Sequence, residues 1–235
     1  MTTNSKWIDK IIALQQPDGS WGSFHSLSKP TKDHPFTTEH ALRRLSILGL
    51  TYQDAPIKRA VKHMKDALNR RIIFLDKREK SLNSDFFEQM LLATWIKRFV
   101  PHDAQAQEIA AFWADIIQKS VINETIDVAS YESEYRKRVP KLHRQKRIIG
   151  FSQFYMVMLL QDMLDEKTEK AFVSHLINHQ NGIILYLRQS HCRCSLGICF
   201  TAYKPVFRCV RMPIRVPSGT RSTAICGKLD FVAQR

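Results

Sequence analysis

The stretch LQQPDGSWG, Leu14 to Gly22, carries more than a chain reversal needs. Pro17, Asp18 and Gly19 are enough to turn a chain: proline presets φ, aspartate bonds its own backbone and glycine admits positive φ. Two glutamines precede them and a tryptophan follows. A helix C-terminus leaves four carbonyls without intrahelical partners. A glutamine amide can donate to such carbonyls and accept from a loop N–H. An indole can cover those bonds and keep water away. Gln16, Asp18, Gly19 and Trp21 are therefore expected to act as a structural clasp between one pair of helices and the next.

Outward from this turn, the apolar spacing is helical from about residue 5 to 179. Trp7, Ile8, Ile11, Ile12 and Leu14 mark a first helix, stopped by Pro17 and Gly19. Pro35 and Thr37 or Thr38 open a second, with Ala41, Leu42, Leu45 and Leu48 as its stripe and Gly49 as its stop. Pro56, Ile57, Ala60, Val61, Met64 and Leu68 mark a third. Asn83 or Ser84 caps a fourth through Phe87, Leu91, Leu92, Trp95 and Phe99. Asp103 caps a fifth with Ile109, Phe112, Trp113, Ile116 and Ile117. Phe151 to Met163 is apolar on most sides, which predicts a central sixth helix. Asp165 opens a seventh with Ala171, Phe172, His175, Leu176 and Ile177. No stretch alternates convincingly enough for a strand. The fold class expected is all-α, built from antiparallel helical hairpins.

The turn also resembles the QW-type repeat of the α/α-toroid superfamily, which includes squalene–hopene-type terpene cyclases and protein prenyltransferase β-subunits. Gln16, Gly19 and Trp21 match the motif's Gln, Gly and Trp, and FTTEHALRRLSILGL looks like the helix that follows it. The likeness spans residues 5–69 and fades into helical hairpins of similar length toward residue 180. A weaker copy, LINHQNGI, ends with Gln180 and Gly182, and a helix is expected after it. The resemblance implies a partial α/α toroid: a full ring has about twelve helices, and seven or eight are legible here. A partial ring exposes apolar edges or pairs with something.

The chain carries a net charge of +14, unevenly spread. Residues 184–235 hold nine Lys or Arg against one acid, Asp230, and all five cysteines. Two domains of composition follow: 1–183, the helical body, and 184–235, a basic, Cys-rich, irregular tail, disordered or frameshifted. The cysteine spacing, with His191 adjacent, fits no paired C-x-x-C metal site. The tail reads best as translated out of an ancestral frame. Codons for residues 184–189 can be chosen so that a one-base shift gives Tyr-Tyr-Ile-Tyr-Asp, the start of a plausible helix. With much of the charge in that tail, a nucleic-acid partner is disfavoured. The basic run Tyr135 to Phe151 reads as a solvated loop around Pro140. No run of about 18 apolar residues or signal pattern occurs, so a cytoplasmic protein without a membrane span is expected.

Catalytic motifs of the resembled families are missing. There is no acidic D-x-D-D; DMLDEK is the nearest cluster. The prenyltransferase zinc set needs a cysteine, and none precedes Cys192. In that superfamily the N-terminal ends of inner helices face the central cavity. The resemblance therefore nominates Glu39, His40, Asp85 and Glu88 as catalytic candidates. Asp85 and Glu88 share a helical face, and a carboxylate beside His40 can do acid–base work. Acids in a first helical turn also simply complement the helix dipole. Trp95, Trp113 and Phe154 either line a terpenoid pocket or fill the core. The function expected is a toroid-type binding or assembly module for an apolar ligand or a protein, or self-association at the open edge. The alternative is a divergent or truncated isoprenoid-processing enzyme. The cofactor is unknown from sequence.

Overall fold

The computed structural model describes residues 3–26, 28, 31–33, 35–73, 76, 83–139, 147–151 and 153–178. The expected tail, 184–235, and the LINHQNGI repeat beyond residue 178 lie outside them. The described chain is predominantly helical: α1 (Thr3–Ile12), α2 (Thr38–Ile47), α3 (Ala55–Leu68), α4 (Ser84–Phe99), α5 (Ala104–Lys119), α6 (Val128–Arg138), α7 (Phe154–Leu159) and α8 (Glu166–Asn178). One short antiparallel hairpin, β1 (Val121–Ile122) with β2 (Thr125–Ile126), interrupts them.

Capping explains several boundaries. Thr37 is the N-cap of α2, accepting from the His40 N–H. Asp103 accepts from the Ala106 N–H at the start of α5, and Lys65 of α3 donates to its other oxygen at 2.5 Å. Asp165 accepts from both the N–H and the hydroxyl of Thr168 at α8. Each satisfies donors that a helix start leaves orphaned.

The central element is α4, which packs against α3, α5 and α7. Every residue from Met90 to Ile96 is buried, so no face of that segment meets water. This corrects the expectation of a central helix over 151–163. There the helix is only six residues long, and Phe154, Val157 and Met158 stay half-buried. It stops at the Leu160 C-cap, and Asp162 turns the chain with φ of 59°. The Lys97 Nζ of α4 donates to the carbonyls of Leu159 (2.9 Å) and Gln161, satisfying groups that a longer helix would have bonded itself.

Two further differences have local causes. The β-hairpin has two residues per strand, too few to alternate visibly; its turn places Asn123 (φ 48°) and Glu124 (φ 62°) in the left-handed region, the arrangement of a tight hairpin. The helix α6 buries only Tyr131 and Tyr135, at i and i+4, and is polar from Ser130 on apart from them. Its last turn takes in Tyr135 to Arg138, so the basic run does not begin as a loop. Arg138 pairs with Asp115 and Glu134, and Lys137 with Glu134 at 2.8 Å. Those charges are offset within the protein. The segment beyond is not wholly solvated either, since Ile149 and Phe151 are buried and Tyr131 donates to the Ile149 carbonyl at 2.5 Å. Residues 140–146 lie outside the described ones.

Candidate functional site

The turn at 14–22 joins α1, α2 and α3. The Trp21 side chain is buried, and its indole N–H donates to the Ile11 carbonyl at 2.7 Å, sharing that acceptor at the end of α1 with the Leu14 N–H at 3.2 Å. Its backbone N–H donates to the Thr38 hydroxyl at 2.9 Å, reaching α2. Asp18 accepts from the Ser20 N–H at 2.9 Å, closing the turn on itself, and lies 3.5 Å from His63 of α3. Gly19 has φ of +91° and sits against α3: a Cβ there would lie 2.5 Å from the Arg59 carbonyl oxygen. Gln16 closes the turn through its backbone, accepting from the Gly19 N–H and donating to Ser20. Its neighbour Gln15 adds a bridging amide. Gln15 donates to the carbonyls of Gly19 (2.9 Å) and Pro56 (2.8 Å) and accepts from the Arg59 guanidinium.

Beyond the turn, Phe24, His25, Ser26 and Ser28 are held by two carboxylates. Asp76 accepts from the N–H groups of Phe24 (3.0 Å) and His25 (2.7 Å) and from the Ser28 hydroxyl (2.9 Å). Glu39, in the first turn of α2, accepts from the Ser26 N–H at 2.7 Å. The Glu39 side chain is wholly buried, 0% exposed. Tyr155 of α7 reaches both its oxygens, at 2.9 and 2.8 Å. The Trp95 indole of α4 lies at 3.4 Å and the Arg43 guanidinium, one helical turn on, at 3.7 Å. A buried carboxylate costs several kcal/mol unless paired and bonded. Here tyrosine, indole, backbone amide and guanidinium supply that compensation from three helices and a loop.

Aromatic rings surround this carboxylate. His25 packs on Tyr155 (5.7 Å) and Phe87 (6.1 Å), Tyr155 on Phe154 (5.5 Å), and Arg43 lies over the Phe154 ring at 5.2 Å. Trp95 and Trp113 are fully buried core residues. Among the four candidates from sequence, Glu39 thus sits at the centre of a network. The adjacent His40 is half-buried. Its pKa is lowered, first by burial and then by the charges of Arg43, Arg44 and His25, against the pull of Glu39, so the imidazole is neutral at neutral pH. Asp85 lies elsewhere, 3.8 Å from the exposed Arg70 just past α3, and is itself half-buried. Glu88 is half-buried on α4.

Arg43 carries a signal legible in sequence, since it follows Glu39 by four residues, where an i, i+4 ion pair is routine. No such signal marks Tyr155, which sits 116 residues away inside an apolar run, or Asp76, 51 and 52 residues from the amides it holds. No group of three or more His, Cys, Asp or Glu among the described residues is placed to hold a metal ion. No helix there is long and apolar enough to cross a membrane. No family model, curated protein or solved structure matches the chain.

Proposed function

We propose that this chain is an α/α-toroid-type helical protein serving as a non-catalytic assembly module. It associates with a second copy of itself through the open edge formed by α1. The observation that carries the reading is the state of Glu39. Both its oxygens are committed to Tyr155, Ser26, Trp95 and Arg43 inside the core. A general acid or base must instead reach a proton on its substrate. Glu39 is then a strut that ties α2, α4 and α7 to the loop after the clasp. The edge is α1: its tryptophan, Trp7, is 55% exposed, Leu14 just past its end is exposed as well, and Ile8 and Ile12 are half-buried. A hairpin next in a ring would cover such a face.

The test is sedimentation equilibrium of the full chain beside Trp7→Ser. Association that weakens in the variant supports the module. A second reading, a divergent isoprenoid-processing enzyme, draws on the rings of His25, Phe87, Phe154 and Tyr155 near Glu39, because aromatic faces stabilise cations. Turnover of an isoprenoid diphosphate that disappears in Glu39→Gln, with the fold retained, would favour that enzyme over the module.

A further inference from the structure

We propose that the cavity between α4 and α7 is a covalent binding site for a small 2-oxo acid, with Lys97 as the imine-forming amine and Arg98 as the carboxylate partner. The inference stands independently of the assembly reading. The cavity has a volume of about 160 Å³ and is lined by Thr94, Lys97, Arg98 and Pro101 from α4 and its end, and by Met158, Gln161 and Asp162 from α7 and its end. A space of this size takes a molecule of a few heavy atoms, since a single water's share of liquid volume is about 30 Å³.

Lys97 is held in a specific way. Its Nζ donates to the Leu159 and Gln161 carbonyls, which fixes the side chain across the helix pair. A neutral amine has two N–H groups and can make both bonds while keeping its lone pair. Lys97 also lines the cavity, and in its neutral form that lone pair is what it offers a ligand there. Burial lowers the Lys97 pKa from the ordinary lysine value, and the charge of Asp162 acts in the opposite direction. A desolvated lysine is the usual route to an amine nucleophile at neutral pH. Arg98, the next residue, lines the same cavity and lies 3.5 Å from the Ser46 hydroxyl of α2. Its planar guanidinium suits a carboxylate. The ligand class follows from this pairing: a carbonyl carbon for the amine, and a carboxylate next to it for the guanidinium.

The chemistry balances without a further reactant. The Lys97 lone pair forms a C–N bond to the carbonyl carbon, and the carbonyl oxygen takes up a proton. The carbinolamine then loses that oxygen as water, its nitrogen gives up a proton, and a C=N bond remains. Asp162 lines the same cavity, and a carboxylate there can relay the protons. The step is reversible and involves no oxidation.

The experiment treats the full chain at neutral pH with glyoxylate and cyanoborohydride, which reduces any imine to a stable amine, and maps adducts by peptide mass. The expected result is an adduct at Lys97 before the exposed Lys58, Lys62 and Lys170 are modified. Modification of those exposed lysines with Lys97 untouched overturns the proposal. Arg98→Gln is expected to lower glyoxylate labelling of Lys97 about tenfold, the loss of one charge-assisted hydrogen bond. Labelling by acetaldehyde, which has no carboxylate, should persist. Equal glyoxylate labelling in both proteins, or a parallel loss with acetaldehyde, overturns the role of Arg98.

Discussion

Removing the Glu39 side chain should be among the most damaging single changes in the protein. In Glu39→Ala the Tyr155 hydroxyl loses its acceptor, the Ser26 amide and the Trp95 indole lose theirs, and Arg43 loses the charge at 3.7 Å. Breaking a buried, bonded charge network by deleting one member costs about 3–5 kcal/mol. That is a large share of a stability of about 5–15 kcal/mol for a domain. Tyr155→Phe removes only the hydroxyl and should cost about 1.5–3 kcal/mol, the range for a hydrogen bond to a charged group. Because the two groups share one interaction, the double variant should cost less than the sum of the singles. Urea unfolding followed by tryptophan fluorescence gives all three values. Simple additivity, or a Glu39→Ala cost within about 0.5 kcal/mol of zero, the range of an ordinary surface substitution, would falsify the view of Glu39 as a strut.

Gly19→Ala should cost more than the roughly 1–3 kcal/mol of a non-glycine residue at positive φ, since its Cβ also meets the Arg59 carbonyl oxygen at 2.5 Å; thermal melts that leave Tm unchanged would refute this. Trp21→Phe should cost about 0.5–1.5 kcal/mol through the lost indole hydrogen bond, since the Ile11 carbonyl keeps the Leu14 N–H at 3.2 Å, read by the same melts. Asp85→Ala should change stability by no more than about 1 kcal/mol, as an exposed pair does. Stability should also fall in acid. Hydrogen bonds from Arg138 to Asp115 and from Thr168 to Asp165 hold those carboxyls below their ordinary values. Their contribution is therefore present above the unfolded pKa of about 4 and is lost as pH drops through the lower folded values. A midpoint in urea that stays flat from neutral pH to below about 3 would contradict that assignment.

Helix after helix was legible because its caps and stripes are local. Thr37, Asp103 and Asp165 each announce a start within a few residues of the apolar run they serve. The turn itself was legible for the same reason, while the bridging amide of Gln15 depends on where α3 lies relative to the turn. What escaped was non-local or too small. α6 shows two buried tyrosines in eleven residues, which no apolar periodicity can announce. The central place of α4 depends on its three packing partners, while the apolar 151–163 segment is cut short by Lys97 and the turn at Asp162. Glu39 was found from its position at a helix start. Its meaning came from Tyr155, a partner that only folding brings near.

The assembly account is tested most directly by sedimentation equilibrium of the full chain over a wide concentration range, with Trp7→Ser run alongside. It predicts concentration-dependent self-association in the natural sequence and a shift toward monomer in the variant. A single monomeric species at every concentration in both proteins would contradict it.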